Sequence, residues 1–498
     1  MKLAKKIIAV AVGSCLLFSA LVNAADPKDT LTLGMTADLQ GWDPGIQPGY
    51  QGWAAEGVWD QLVKIDAFSH LTPDVSDKWS ISSDNKTFRA HIRSGMKFSD
   101  GTPVDSYAVA ANFEYLKSHG QSVNDYKDVT IKTPNAQNIS LTWKEPQPLM
   151  SQRVSSPKIT TKALLNSGKI NDVPIGSGPY VLDVSKTTRG SVYTLTKNVN
   201  HWNSAKYPFK TIILKVIESE TAVVSALKTG QIDASLVSNQ SYNEVTASGL
   251  KVIEYRGQTT RLLLTDRLGK IIPALGDVRV RRAINMVFDK EAMVKNLYGG
   301  RAEPAYEIFR KGSDAFLGIT KDPYPYDIKK AQALMTEAGY AKGFDLELPT
   351  MAGQNFETLM PYVSQQLGLI NIKVKQVPLS GANAIADLLS GKFPVVLWQL
   401  GNIGDSKLDI YITITSAGWW NLLHQPDPVV DAAWKKIVNG NAKKQKAAQQ
   451  EIARYVVDQA WFAPMVSMGT IYAYNPKVLS IPTQSDLEGL TPKLRDFN

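Results

Sequence analysis

Alternation of apolar and polar residues predicts β-strands from one end of the sequence to the other. In segments 30–35 and 88–92 every second residue is apolar, and runs rich in β-branched residues cover 139–143, 192–196, 211–217 and 372–374. The apolar positions of the first two strands are Leu31, Leu33, Met35, Phe88, Ala90 and Ile92. Strands are therefore expected in both halves of the chain.

Apolar residues spaced three and four apart predict helices that begin after aspartates. Asp105, Asp277 and Asp327 each precede such a run and can accept a hydrogen bond from the first turn, and Gly339 is placed to end the third helix. The apolar faces are Val109, Phe113 and Leu116, then Val280, Ile284, Val287 and Phe288, then Ile328, Ala331, Leu334, Met335 and Ala338. Interleaved strands and helices are typical of an α/β protein.

Size and composition indicate a soluble protein of several domains. The 498 residues exceed one ordinary core of about 100–150 residues. Hydrophobic residues make up 44% and charged residues 20%, which is the balance of a globular protein. The net charge of +9 is spread along the chain without a basic run that carries interleaved aromatics, so nucleic-acid binding is not expected.

Residues 1–24 have the pattern of a cleaved secretory signal peptide. Lys2, Lys5 and Lys6 precede an apolar stretch over 7–22, and small residues end the segment at Ala24. The one cysteine, Cys15, raises lipid modification as an alternative, but the residues before it fit that signal poorly. Cleavage near Ala24 would leave no cysteine, which excludes disulfides and thiolate chemistry.

The common catalytic and cofactor motifs are absent from the sequence. It contains no GxSxG, no Walker phosphate loop, no HExxH and no GxGxxG after a strand, and its five histidines stand far apart. We therefore expect no enzyme activity, no cofactor and no metal site. Aromatic residues beside glycines, such as Trp398 and the pair Trp419 and Trp420, instead indicate ligand stacking, with core packing as the alternative.

Five ordered blocks carry a resemblance to a known family. They are Leu31-Thr32-Leu33-Gly34 with Asp43-Pro44; Lys97-Phe98-Ser99-Asp100-Gly101-Thr102-Pro103-Val104; Gly176-Ser177-Gly178-Pro179-Tyr180 with Lys197-Asn198 and His201-Trp202; 277–285; and 326–340. In these blocks the chain resembles the extracytoplasmic solute-binding proteins of ABC importers, family 5, which includes dipeptide, oligopeptide and nickel binders.

The resemblance implies a large type II periplasmic-binding-protein fold, with two lobes, a hinge and three domains. Domain I would comprise 26–49, 177–258 and 472–498, the inserted domain II would comprise 50–176, and domain III, the second lobe, would comprise 259–471. The implied function is capture of a small solute between the lobes by a monomeric periplasmic protein and its delivery to an inner-membrane ABC permease. A secreted hydrolase is the alternative.

One motif departs from the family pattern and bears on the solute. Peptide binders carry an aspartate after a tryptophan that pairs with the peptide amino terminus, and here that position falls nearest Gly401, with Asp405 four residues later. A buried ammonium without its carboxylate would be costly. A free peptide is therefore less favoured, while sugars, opine-like conjugates and other small polar solutes stay open, and a metal chelate is not excluded.

The ligand site is predicted in the cleft between the lobes. Loops at strand ends place Trp42 and Tyr50 on one side. The third domain would supply Trp398, Asn402, Asp405, Trp419 and Trp420. Arg261 stands where the chain should cross between lobes, and its guanidinium could hold a carboxylate or phosphate of the solute or form an interdomain salt bridge.

Overall fold

A computed structural model describes residues 29–39, 41–43, 45, 52–66, 70–120, 123–351, 356–379, 384–401, 405–481 and 492–497. The predicted signal peptide, Cys15, Tyr50 and Asn402 lie outside the described residues. Within these ranges, none of the helices has the length and apolar character needed to cross a membrane.

Short strands alternate with helices along the described chain. The strands are β1 Thr30–Met35, β2 Asp60–Gln61, β3 Val63–Ile65, β4 Leu71–Pro73, β5 Ser76–Ile81, β6 Thr87–Ile92, β7 Thr130–Asn135, β8 Asn138–Thr142, β9 Lys158–Ile159, β10 Tyr180–Leu182, β11 Val192–Lys197, β12 Thr211–Val216, β13 Ala234–Val237, β14 Lys251–Leu264, β15 Glu303–Pro304, β16 Phe344–Met351, β17 Ile372–Leu379, β18 Val395–Leu400 and β19 Phe462–Tyr474. The helices are α1 Gly52–Ala55, α2 Ser106–Leu116, α3 Val123–Tyr126, α4 Met150–Ser155, α5 Lys162–Leu165, α6 Glu220–Lys228, α7 Tyr242–Ala247, α8 Val278–Met286, α9 Lys290–Asn296, α10 Ile328–Glu337, α11 Phe356–Gly368, α12 Ala384–Leu388, α13 Ser406–Thr413, α14 Pro428–Asn439 and α15 Ala442–Asp458.

The three predicted aspartate caps are confirmed. The side chains of Asp105, Asp277 and Asp327 accept hydrogen bonds from main-chain N–H groups in the first turns of α2, α8 and α10, at 2.8, 2.8 and 2.9 Å. Gly339 follows α10 with φ of +85°, a conformation that glycine adopts without strain. The strand predicted over 372–374 is longer in the structure, where β17 runs from Ile372 to Leu379. Beyond position 374 it contains polar residues at exposed positions, so the run of β-branched residues ends before the strand does.

The largest sheet joins strands from distant parts of the chain. Its order is β10, β11, β12, β1, β13, β19, β14 and β18, with β15 paired to β19. β1 is parallel to β12 and β13, whereas β13, β14 and β18 are antiparallel to their other neighbours. The long strands β14 and β19 pair along nearly their whole lengths, which makes the sheet continuous from β13 to β18.

Several separate hydrophobic cores lie along the largest sheet and under a smaller, four-stranded one. The core around Leu31 and Leu195 belongs to the first domain and also buries Phe497 near the C-terminus. A second core around Phe88 and Phe113 lies under the four-stranded sheet β5, β6, β8 and β7. Other cores pack α8, α13 and α15 against β14 and β19. The domain boundaries at 49, 176, 258 and 471 stay a prediction.

Candidate ligand-binding cleft

The strands β14 and β19 carry two irregularities in their pairing. The register shifts between Arg256 and Gln258 and again between Thr260 and Arg261. Beside the first shift, Gly401 at the end of β18 lies so close to the Gly257 carbonyl that a Cβ atom at 401 would collide with it. Position 401 therefore has no room for the acidic side chain that peptide binders of the family carry there.

Asp405 caps α13 and reaches the inserted domain. Its Oδ1 accepts a hydrogen bond from the Lys407 main-chain N–H at 2.9 Å, and its Oδ2 lies 3.5 Å from Gln152 Nε2 on α4. The side chain is 12% exposed, and burial raises the pKa of this carboxyl above its ordinary value despite Lys407 Nζ at 3.6 Å. Asp405 thus connects α13 with α4.

Tyr411, further along α13, lies near charged side chains of α3 and α4. Burial raises the pKa of Tyr411, and the charge of Asp125 on α3 of the inserted domain adds to this effect. Asp125 is itself paired with Arg153 of α4 at 3.0 Å. Helix α13 therefore faces α3 and α4.

Tryptophans of the third domain lie next to this contact. The rings of Trp398 and Trp420 are 5.1 Å apart and tilted by 36°, and both are half-buried. Trp419 is 48% exposed and meets Tyr411 edge-on at 6.4 Å. A side chain at Gly418 would collide with the carbonyls of α13, so glycine is what allows this loop to approach the helix.

Arg261 pairs directly with Trp398 across β14 and β18. It is 1% exposed, and its Cζ lies 5.4 Å from the centroid of the Phe462 ring. Burial lowers the pKa of Arg261 to about 10, and the carboxylate of Asp409 on α13 partly offsets this effect. The structure thus groups Arg261, Trp398, Trp420 and α13.

Trp42 lies elsewhere, in the core of the first domain. It is 2% exposed, its main-chain N–H donates to Asn171 Oδ1 at 2.9 Å, and its ring meets Tyr193 edge-on at 6.3 Å. These contacts favour the packing alternative, and a ligand contact through Trp42 stays a prediction. The other predicted site residues, Tyr50 and Asn402, lie outside the described residues.

The sequence reasoning missed four residues near the proposed site. Gln152, Asp409 and Tyr411 belong to no recognised motif, and Arg310 belongs to an irregular segment, so no sequence signal singled them out.

The described ranges contain no candidate metal site. No three His, Cys, Asp or Glu side chains within them come together in a group that could hold an ion.

Comparison with known proteins identifies the family. A model of the bacterial extracellular solute-binding proteins, family 5, matches residues 70–421. The chain belongs to this family. The predictions of a type II periplasmic-binding-protein fold and of a solute-binding component of an ABC importer are thereby confirmed, and the hydrolase alternative receives no support.

Relatives within the family differ in their ligands. The nickel-binding periplasmic protein of Escherichia coli K12 is 25% identical over 369 residues, which are 69% of this chain and 67% of the relative. The glutathione-binding protein GsiB of the same organism is 26% identical over 397 residues, covering 77% and 72% of the two chains.

Solved structures with the same fold include two that hold ligands. NikZ of Campylobacter jejuni, in complex with Ni(L-His), has a TM-score of 0.80 at 22% identity and covers 95% of this chain and 100% of its own. AgaA of A. tumefacien R10, in complex with agropinic acid, has a TM-score of 0.81 at 22% identity, with coverages of 94% and 98%.

Proposed function

We propose that this family 5 protein captures a small polar solute in the periplasm, in the cleft where α13 faces the inserted domain, and delivers it to an inner-membrane permease. The observation that carries the proposal is the pairing of two features. Strands β14 and β19 run continuously between the lobes, and Asp405 and Gln152 approach to 3.5 Å on opposite sides of the cleft. A hinge with facing walls is what capture by closure requires.

The walls favour a solute with a ring or a flat polar body. Trp398 and Trp420 are half-buried and lie beside the third-domain wall, as expected of aromatic groups that cover one face of a ligand. Sugars and opine-like conjugates fit this description.

A free peptide receives less support. The position of the family aspartate is Gly401, which has no space for a side chain. The Asp405 carboxylate already accepts the cap hydrogen bond of α13, lies near Lys407 Nζ and approaches Gln152 Nε2. A peptide ammonium would therefore enter the cleft without a dedicated carboxylate, at a cost of several kcal/mol.

Recovery of the solute tests the proposal. The purified protein is denatured, the released small molecules are identified by mass spectrometry, and the solute is returned to refolded protein in a calorimeter. We expect one small polar compound to bind with a one-to-one ratio and to be recovered unchanged. Chemical conversion of that compound by the protein would contradict a binding function and revive the hydrolase alternative.

A further inference from the structure

The guanidinium of Arg261 is a buried cation with incomplete hydrogen bonding. Arg261 is 1% exposed, and within the described part of the chain neither Nε nor Nη2 has a hydrogen-bond partner. The face of the Phe462 ring, at 5.4 Å, supplies no hydrogen-bond acceptor comparable to a carbonyl or carboxylate. Burying such donors without acceptors costs stability, because their hydration is lost and not replaced.

Other buried arginines in the described ranges are provided with acceptors. Arg281 donates to three main-chain carbonyls. Arg495 is ion-paired with Asp60 at 2.7 Å, and Arg267 donates to a buried asparagine oxygen at 3.0 Å. The fold thus satisfies arginines that serve structure, which makes the open donors of Arg261 a feature that needs an explanation.

The charged groups near Arg261 lie on α13 and in the segment before it. The Asp409 carboxylate on α13 attracts both Arg261 and Arg310, and burial opposes the charge of both guanidinium groups. An anion that accepts hydrogen bonds from the open donors of Arg261 would offset the cost of burying its charge.

We propose that Arg261 determines specificity by binding an oxyanion, a carboxylate or a phosphate, of the captured solute. The inference rests on the proposed function, since it assigns the charge of the solute that enters the same cleft. An oxyanion can accept two parallel N–H bonds from one guanidinium, which are the bonds that Arg261 lacks. Because Arg261 pairs with Trp398, the body attached to that anion would lie beside Trp398 and Trp420.

A thermal comparison of two methionine variants separates a binding arginine from a structural one. Protein freed of solute by unfolding and refolding is melted as wild type, Arg261→Met and Arg267→Met. We expect Arg261→Met to keep or raise the melting temperature, because it removes an unsatisfied buried charge. Arg267→Met should lower it, because Arg267 loses a hydrogen bond and its contact with the Trp461 ring at 3.8 Å. Equal losses in both variants would overturn the proposal.

Bromide serves as the anion probe. Crystals of the solute-free wild type and of Arg261→Met are soaked in sodium bromide, and anomalous diffraction locates the ions. We expect a bromide within hydrogen-bond distance of Arg261 Nε or Nη2 in the wild type and none at that place in the variant. Water alone around the guanidinium of the soaked wild type would overturn the proposal.

The chemistry of the released solute distinguishes the two oxyanions. Conversion to a methyl ester in acidic methanol indicates a carboxylate, and loss of mass on phosphatase treatment indicates a phosphate. A released solute with neither group overturns the anion assignment while leaving the proposed function intact. Conversely, a protein that binds no solute but holds bromide on Arg261 contradicts the proposed function and supports the anion site.

Discussion

Burial separates a tryptophan packed in a core from the tryptophans of the proposed site. Trp42 is 2% exposed within the first-domain core. Trp398 and Trp420 are half-buried at the junction of several cores, and Trp419 is 48% exposed. A partly covered aromatic face can gain contacts with a ligand, whereas a fully covered one already has its contacts. Opposite outcomes are therefore expected when Trp420 and Trp42 are truncated.

Replacement of Trp420 by alanine should weaken solute binding with little effect on the empty protein. Loss of an aromatic anchor costs about 1–3 kcal/mol of binding free energy. Calorimetry with the recovered solute measures the affinity, and thermal melting of the solute-free protein measures the stability. The matched control is Trp202→Ala, which truncates an exposed tryptophan outside the proposed site. Unchanged affinity with a large fall in melting temperature would remove Trp420 from the site.

The Trp42→Ala variant should show the reverse pattern. Its cavity in the first-domain core is expected to lower the free energy of unfolding by about 3–5 kcal/mol. Affinity should stay close to that of the wild type under conditions in which the variant is folded. Chemical denaturation and calorimetry give both quantities. Weakened binding without lost stability would place Trp42 in the cleft and refute the packing role.

Asp405 caps α13 and also carries a buried charge, and changes of pH and of side chain can separate these two effects. Burial raises its pKa, so the folded protein binds this proton more tightly than the unfolded chain. Its contribution to the free energy of unfolding is therefore smallest at neutral pH. The contribution grows as the pH falls through the raised pKa of the folded protein towards the ordinary aspartate pKa of about 3.9.

The variants Asp405→Asn and Asp405→Ala distinguish charge from capping. Asparagine keeps the cap without the charge, so its melting temperature at pH 7 should equal or exceed that of the wild type, with the difference shrinking in acid. Alanine should lose about 1 kcal/mol, because the cap of α13 is removed. Melting curves between pH 4 and 7 provide the test, and a stability difference between the asparagine variant and the wild type that widens on acidification would contradict the assignment.

At the scale of elements, the C-terminal segment 492–497 is held in the first lobe by buried charges. Arg495 lies 2.7 Å from Asp60 and 3.5 Å from Asp74, and it donates to the main-chain carbonyls of Glu56 and Trp59. Burial opposes ionisation of both aspartates. The Arg495 charge nevertheless holds the pKa of Asp60 well below its usual range, while burial and the Asp60 charge raise the pKa of Asp74.

Arg495→Met should strongly destabilise the protein. It leaves Asp60 without its buried counterion, which costs about 3–5 kcal/mol of unfolding free energy. Guanidinium denaturation measures the loss. The triple variant Asp60→Asn, Asp74→Asn, Arg495→Met should recover much of it, since no uncompensated charge then stays buried. A single variant as stable as the wild type would show that this segment does not hold the lobe together.

At the scale of the whole molecule, the proposed closure depends on a contact between distant parts of the sequence. Gln152 and Asp405 are separated by 253 residues and approach to 3.5 Å. Strands β14 and β19 pair continuously, with register shifts between Arg256 and Gln258 and between Thr260 and Arg261. A change at this contact should therefore alter the balance between open and closed forms more than the stability of either lobe.

Gln152→Glu should favour the open form. It would place a second carboxylate beside Asp405, and like charges held together in a closed cleft repel. We expect solute affinity to fall by at least about tenfold and the radius of gyration from solution scattering to increase. Gln152→Ala is the control, because it removes the contact without adding charge. Acidification should restore binding to the glutamate variant, and an effect equal to that of alanine would exclude charge repulsion.

Local patterns determined much of the fold and the family of this protein. The caps at Asp105, Asp277 and Asp327 and the alternation in β1 and β6 are short-range features that the structure confirms, and the four motif blocks from Lys97 onward lie within the region of the family match. Hydrophobic period and capping chemistry act within a few residues, so they can be read without knowledge of what the segment packs against.

Tertiary structure alone decided which side chains meet at the candidate site. The sequence could not tell that Trp42 is packed in a core while Trp420 is half-buried, since both are tryptophans near glycines. Nor could it pair Asp405 with Gln152, or Asp409 with Arg261, because burial and long-range charge depend on how β14, β19 and α13 are brought together. The open donors of Arg261 exist only because the fold removes water from that position and provides no acceptor in its place.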